Sequence, residues 1–187
     1  LFFECIGNAE KRSVPIEITI NETTITGTLD DVYDDKLVVI CYSKNDGKYL
    51  LDAYIKYLIA MAAGHTLTLH FVSNTHNKIF EGIRIEQNVA QERLSDLIDL
   101  YKKGHDHILP YYVDLKIHPD KIINIDLQFL IKTIEEKIDN RNYPFTNEYF
   151  LSEYYAGFFD QPQIMEDIKE SANLLLMPLP ALFPTYF

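Results

Sequence analysis

The chain has no tryptophan and only two cysteines, Cys5 and Cys41. Two thiols are too few for a disulfide framework, which excludes the small secreted scaffolds that depend on one, and we expect a cytoplasmic protein. No apolar run reaches the roughly 18 residues that a membrane-spanning helix requires. Residues 1–12 also lack the basic region and the apolar region that together make a signal peptide.

Basic residues are scarce as well. The sequence has 17 lysines and arginines against 28 aspartates and glutamates, which gives a formal net charge of −11. Non-specific DNA binding depends on clustered basic side chains that neutralise phosphates, so this charge argues against a free-standing DNA binder. Any contact with DNA must be local or shared with a partner.

Apolar and aromatic side chains, by contrast, are plentiful. Hydrophobic residues make up 47% of the sequence, with 13 tyrosines and 11 phenylalanines, which excludes a disordered linker. A chain of 187 residues predicts a single domain over 1–187, and we expect a sheet-rich core over about 14–85 with a helical portion over about 86–187. Because the first residue is Leu1 rather than Met, we also expect a fragment of a longer protein.

The first third of the chain has the period of β-strands. Apolar and polar residues alternate over 16–20 and again over 23–29, and the turn residues Asn21 and Glu22 between them predict a hairpin. The nearly continuous apolar run 37–42 predicts a central strand covered on both faces.

The period then changes to that of helices. A helical stripe starts near Lys48 and stops at Gly64, a plausible left-handed cap, and strands are predicted over 66–72 and 78–85. The rest is predicted to be helical: 94–104 ended by Gly104, then 119–138, 147–159 and 163–177, the last ended by the prolines at 178 and 180.

Two strand ends carry candidate chemistry. The second strand ends in Gly27-Thr28-Leu29-Asp30, and the third ends in Cys41-Tyr42-Ser43. This layout of three strands, a helix and a fourth strand resembles the mixed α/β core of the restriction-endonuclease-like nucleases of the PD-(D/E)xK type, a likeness at the level of fold. The predicted fold class is therefore an α/β sheet of about four to five strands flanked by helices, with a helical C-terminal half.

The resemblance implies a degenerate nuclease site. Asp30 stands where that family has its first metal-binding carboxylate, while Cys41 and Ser43 replace its second carboxylate and its lysine. On the helix, Ala53 replaces a glutamine and Tyr57 stands at the family's tyrosine. Phosphodiester hydrolysis of this kind needs oxygen ligands for Mg²⁺ and a group that positions water, so we expect no catalytic residues, no metal and no cofactor.

An active Mg²⁺-dependent nuclease that uses Asp30, Asp46 and Lys48 is the alternative. The Asp46-Gly47-Lys48 triplet lies close to the end of the third strand, but the sequence holds four Asp/Glu-x-Lys triplets, so the pattern is unspecific. The intervening Gly47 also predicts a turn that points both charged side chains into solvent.

A more specific likeness extends along the chain. The helix end 57–64, the leucine-rich segment 94–104 followed by 108–112, and the closing segments 148–150 and 172–179 occur in an order that resembles the RecC C-terminal domain family. That family belongs to the gamma subunit of bacterial exodeoxyribonuclease V, and the likeness covers roughly 14–187. The missing tryptophans depart from the family and leave an AddB-like relative open.

The resemblance implies a function as well. It predicts a non-catalytic scaffold subunit of a RecBCD helicase-nuclease that processes double-strand ends in DNA repair and recombination, helping to split the duplex and guide the strands. The implied partners are RecB-like and RecD-like subunits, a duplex end and single-stranded DNA, and no membrane. A protein-interaction domain without DNA contact is a further alternative.

Three other features have ordinary structural interpretations. His65, His70 and His76 are predicted to be ordinary surface or core residues, because a strand sends His65 and His70 to opposite faces. The uncharged tail 174–187 must be covered, either by its own domain or by a partner. The aromatic cluster 149–159 has helical spacing, which favours packing over base stacking.

Overall fold

The structure, a computed structural model, describes residues 1–44, 46–106, 109 and 164–187. In chain order the elements are α1 (Phe2–Ile6), β1 (Lys11–Ile20), β2 (Thr23–Tyr33), β3 (Lys36–Cys41), α2 (Gly47–Ala62), β4 (Thr68–Ser73), β5 (Lys78–Glu81), α3 (Gln87–Asp106), α4 (Ile164–Leu175) and α5 (Pro178–Leu182). The predicted order of three strands, a helix and a further strand is confirmed; helix α1 was not predicted.

The strands form one mixed sheet in the order β1-β2-β3-β4-β5. Neighbouring strands are antiparallel except for β3 and β4, which run parallel and are connected through α2. The predicted α/β class with four to five strands is confirmed, and β3 is the central strand that its apolar run predicted. Five of its six side chains, all but Lys36, are apolar because helices cover both faces of this strand.

The predicted hairpin is also confirmed. Asn21 and Glu22 both have positive φ angles, 46° and 63°, which is the backbone that a tight two-residue hairpin turn requires. Ile16 and Ile18 are buried on the face of β1 that packs against the core. At the tip of the hairpin, the Asn21 side chain donates a hydrogen bond to the Ser95 hydroxyl of α3 over 2.5 Å.

A bulge interrupts the β1–β2 ladder near the base of the hairpin. The register pairs Val14 with Leu29 but Arg12 with Val32, so two aspartates, Asp30 and Asp31, lie opposite the one residue between Arg12 and Val14. Such a bulge turns one extra side chain to a new direction. Leu29 and Val32 both remain in the core on either side of it.

The main core lies between the sheet and α2. The eight buried residues of α2 cover one face of the sheet, and α3 packs on the helix from outside. Gly64, with a φ of 85°, follows the helix as predicted for a left-handed cap. Helix α1 covers the opposite face, where Cys5, Val38 and Val72 form a second, smaller cluster.

One predicted helix end is wrong, and another is confirmed with an addition, because α4 ends at Leu175 before Pro178. Helix α3 runs through Gly104 to Asp106, because a glycine only weakens a helix and tertiary packing supports this one. Pro178 does not simply stop the preceding helix; it occupies the first turn of α5, where its missing N–H has no partner to lose.

The C-terminal tail folds back on its own domain, which was one of its two predicted outcomes. Leu179, Leu182 and Phe183 are buried in the main core. The Ile83 backbone N–H donates to the Leu182 carbonyl over 2.8 Å, so the tail is tied to the segment after β5.

Several predictions lie outside the described residues: the helices 119–138 and 147–159, the aromatic cluster 149–159 and the passages 108–112 and 148–150, apart from Leu109. In the parts of the chain that the structure describes, no helix combines the length and apolarity needed to cross a bilayer.

Candidate functional site

Polar side chains converge where the two parallel strands end. Cys41 at the end of β3 is the register partner of Ser73 at the end of β4, and α2 begins directly beyond Asp46. The carboxyl ends of adjacent parallel strands are a common place for sites in α/β folds. We call the polar group at this position the Asp46 cluster; its members are Cys41, Asp46, Ser73, Thr75, His76 and Tyr186.

Asp46 is the centre of this cluster. Its carboxylate is only 5% exposed, although it lies in a loop between a strand and a helix. One oxygen, Oδ2, accepts from the Ser73 hydroxyl over 2.5 Å and the Tyr186 hydroxyl over 3.2 Å, and lies 3.1 Å from His76 Nδ1. The other oxygen accepts from the Thr75 hydroxyl over 3.2 Å. The carboxylate therefore ties β4, the β4–β5 turn and the C-terminal tail together.

These contacts keep Asp46 ionised. Burial raises the pKa of its carboxyl, but hydrogen bonds from Ser73, Cys41, His76 and Tyr186 together outweigh burial and hold the pKa below its usual value. The same negative charge acts on its neighbours. Burial first, and the hydrogen bond to Asp46 second, raise the pKa of the Cys41 thiol to about 11. Burial and the Asp46 charge raise the pKa of the Tyr186 hydroxyl too.

The cluster contains serine, histidine and aspartate but is not a catalytic triad. In a triad the histidine uses its two ring nitrogens separately, one toward the serine and one toward the aspartate. Here both Ser73 Oγ and Asp46 Oδ2 lie 3.1 Å from the same nitrogen, Nδ1 of His76. Ser73 is also fully buried, and its hydroxyl donates to the carboxylate. The group is built to hold a carboxylate, not to activate a nucleophile.

The turn after β3 does not place Asp46 in solvent, so that part of the prediction is wrong. The loop folds the Asp46 side chain inward, where four donors replace its water, while Lys48 does lie on the surface with its ammonium 5.0 Å from the Tyr49 ring centre. A divalent cation would have to displace these donors to reach the carboxylate. No group of three or more potential metal ligands occurs among the described residues.

Asp30 lies apart from this cluster. It is exposed on β2 at the bulge and accepts a hydrogen bond of 2.7 Å from the Ser13 hydroxyl of β1. Strands β2 and β3 pair only at Val32 and Tyr33, beyond which they separate. The partner of Asp30 is thus on β1, whereas the partners of Asp46 lie at the end of β4, in the β4–β5 turn and in the tail.

The neighbouring Asp31 faces a helix instead. Its carboxylate lies 3.5 Å from Lys56 Nζ of α2, and Lys56 also pairs with Asp52 at 2.8 Å. The bulge thus directs one carboxylate to the β1 side and the other toward α2.

The two candidate helix positions are core residues. Ala53 is fully buried and Tyr57 is 1% exposed, and they lie one turn apart on the buried face of α2. Burial raises the pKa of the Tyr57 hydroxyl, which bonds to the backbone at Ile85. Neither side chain is among the contacts of the Asp46 cluster.

Local sequence patterns hardly indicate the residues that complete this cluster. Ser73 and His76 follow a strand in a polar turn, and Tyr186 lies more than a hundred residues further on in an apolar tail. One signal was available: Tyr186 is the one tyrosine in the uncharged tail, and a buried tyrosine usually places its hydroxyl against a polar partner.

Comparison with known proteins gives two matches. Residues 4–118 match the family described as the RecC C-terminal domain. A protein of Mycolicibacterium smegmatis named RecBCD enzyme subunit RecC is 33% identical over 92 residues, which cover 46% of this chain. The matched segment spans only 8% of the length of that relative.

Proposed function

The chain belongs to the RecC C-terminal domain family, and from that premise we propose that it is a non-catalytic part of a RecBCD-type helicase-nuclease, the exodeoxyribonuclease V that acts in DNA repair and recombination. In this role it holds catalytic subunits together and helps to split a duplex and guide its strands. Its own nuclease-like site performs no hydrolysis.

The strand order supports a restriction-endonuclease-like fold. Three antiparallel strands, α2 and a fourth strand parallel to the third are the arrangement expected for a PD-(D/E)xK nuclease. Strands β2 and β3, which would carry the carboxylates in an enzyme of this layout, pair only at Val32 and Tyr33. In this proposal the whole chain is one domain of that type.

The state of Asp46 carries the non-catalytic part of the proposal. It is the acid nearest to Cys41, the position at which the second metal-binding carboxylate would be needed, and hydrogen bonds occupy both of its oxygens. Cys41 itself keeps its proton at neutral pH because its pKa is about 11. Asp30 would remain as a single exposed carboxylate, which leaves Mg²⁺ mostly hydrated.

The partners follow from the family and from the name of the relative. We propose that RecB-like and RecD-like subunits bind this chain in the cytoplasm, and that a duplex end and its single strands pass close to it. In the alternative, a protein-interaction domain, the chain binds the same subunits but does not contact DNA.

Photo-crosslinking in the assembled enzyme tests this function. The chain, in its natural protein and assembled with the RecB-like and RecD-like subunits, would be irradiated with a forked duplex that carries photoreactive bases on each arm. We expect adducts on this chain within the intact complex. Assembly without any adduct on the chain would favour the pure interaction domain, and failure to assemble would contradict the scaffold role.

A further inference from the structure

The side chains of four lysines in the described chain make neither an ion pair nor a hydrogen bond with a described residue: Lys44, Lys48, Lys78 and Lys102. The other described lysines are engaged, for example Lys56 with Asp52 and Lys103 with Asp167, as expected in a chain with an excess of acids. Three of the four unengaged lysines lie at one end of the sheet. Such a local grouping is unusual when the net charge is −11.

The topology places these three lysines together. Lys44 is in the loop after β3, Lys48 is in the first turn of α2, and Lys78 begins β5. The register continues from Cys41 to Ser73 and on to Lys78 across three adjacent strands. That row spans about 10 Å, because neighbouring strands lie about 4.8 Å apart. All three lysines are exposed.

Aromatic rings share this end of the sheet. Tyr42, which directly follows β3, is 76% exposed. Lys48 Nζ lies 5.0 Å from the Tyr49 ring centre and Lys78 Nζ lies 5.1 Å from that of Phe80, so both ammonium groups rest on rings and still face outward.

Acidic residues are nearly absent from the two segments that carry these lysines, 41–49 and 73–80. The one acid within the segments 41–49 and 73–80 is Asp46, which is buried with both oxygens hydrogen-bonded. Buried in this way, it exposes almost no negative surface to a ligand. The lysines near Asp46 therefore face a ligand without an exposed carboxylate beside them.

The cleft between α3 and α4 has the reverse character. This cleft of about 710 Å³ is lined by four acids, Asp96, Asp99, Glu166 and Glu170, against two lysines. The acidic cleft repels a polyanion, whereas the three grouped lysines attract one.

We propose that Lys44, Lys48, Lys78 and Tyr42 form a binding surface for single-stranded nucleic acid, which we call the lysine-tyrosine surface. This proposal rests on the proposed function and assigns the contact with single-stranded DNA to these residues. Lysines track the phosphates, and an exposed ring stacks an unpaired base, as in sequence-independent single-strand binding. A protein partner fits less well, because interface cores are depleted in lysine and favour arginine.

A matched pair of triple variants tests the surface. K44A/K48A/K78A removes the three grouped lysines, and K11A/K102A/K169A removes three from other surfaces, so both variants lower the net charge equally. The natural protein that carries this chain would be titrated by fluorescence anisotropy with a labelled 15-nucleotide oligo(dT) and with a 15-bp duplex, over a range of salt concentrations.

The expected losses follow from counterion release. Each phosphate contact with a single strand adds about 0.7 to the salt slope, so the grouped variant should lower the slope by about 2 and weaken binding by about 100-fold at 0.1 M salt. The control variant should stay within about threefold of the unaltered protein. Tyr42→Ala should weaken oligo(dT) binding by about fivefold or more, through loss of one stacked base.

Other results would overturn the assignment. Equal losses in the two triple variants would mean that only net charge matters, and duplex binding as tight as oligo(dT) binding, unaffected by Tyr42→Ala, would exclude a single-strand surface. Equally tight binding of poly-glutamate would indicate an acidic protein partner.

Crosslinks separate this failure from that of the proposed function. Adducts from the forked duplex that map to other residues of the chain would leave the proposed function standing and remove the lysine-tyrosine surface. The absence of any adduct on the chain would refute both the lysine-tyrosine surface and the DNA contact in the proposed function.

Discussion

Replacing Asp46 by alanine should destabilise the protein strongly, although the residue lies in a loop. The substitution removes the acceptor for hydrogen bonds from Ser73, Thr75 and Tyr186 and from the His76 ring. Ser73 is fully buried and would be left without its carboxylate partner, whereas Thr75 and His76 can turn to water. The tail would also lose its polar tie to the sheet.

The magnitude follows from the two least exposed donors. A hydrogen bond to a charged group contributes about 1.5–3 kcal/mol, so the loss of the Ser73 and Tyr186 bonds predicts a decrease of about 3 kcal/mol or more in the free energy of unfolding. For a chain of this size 1 kcal/mol shifts Tm by about 2–4 °C, which predicts a decrease of about 6–12 °C.

Urea denaturation followed by circular dichroism measures the effect, with Asp31→Ala as the matched control. Asp31 is also a carboxylate beside β-structure, but its side chain is 46% exposed and its ion pairs are 3.5 and 3.9 Å long. Such pairs contribute less than about 1 kcal/mol. If Asp46→Ala were no more destabilising than Asp31→Ala, the account of Asp46 as a buried anchor would be refuted.

Further predictions concern the same region. The pKa of Asp46 in the folded protein lies below the unfolded value of about 3.9. The stability that its charge contributes is therefore full above that pH and is lost as the pH falls through the folded pKa. The difference in stability between the unaltered protein and Asp46→Asn, measured by urea titration, should accordingly narrow below about pH 4. Cys41→Asp should not create a nuclease. It should lower the free energy of unfolding by several kcal/mol in the same titration, because it buries a second carboxylate beside Asp46. A stable variant that cleaves DNA would contradict this prediction. Thiol labelling at neutral pH should modify Cys41 only upon unfolding, because burial raises its pKa to about 11. Phe183→Ala should cost about 3–5 kcal/mol by leaving a cavity in the core, and a loss below 1 kcal/mol would show that the tail is not part of the fold.

The sheet could be predicted because its signals are local. Alternation over residues 16–20 and 23–29, the turn at Asn21 and the apolar run of β3 each depend on neighbours in sequence. Helix ends were less predictable, since the packing of α3 outweighs the weak helix propensity of Gly104.

The candidate site was predictable only in part. Sequence pattern located Cys41, Ser43 and Asp46 near the end of the central strand, which is where they lie. The inward orientation of Asp46 depends on Ser73 and Tyr186, which are 27 and 140 residues away in sequence. No local pattern reports contacts of that range, and the triplet reading of Asp46-Gly47-Lys48 therefore gave the wrong orientation for Asp46.

Incubation with Mg²⁺ and labelled DNA tests the central claim most directly. The natural protein that carries this chain, without the RecB-like and RecD-like subunits, would be incubated with single-stranded and double-stranded substrates, alongside Asp30→Ala and Asp46→Asn variants. The account predicts no cleavage by any of the three proteins above a Mg²⁺-free control. Cleavage by the unaltered protein that disappears in Asp30→Ala or Asp46→Asn would contradict it.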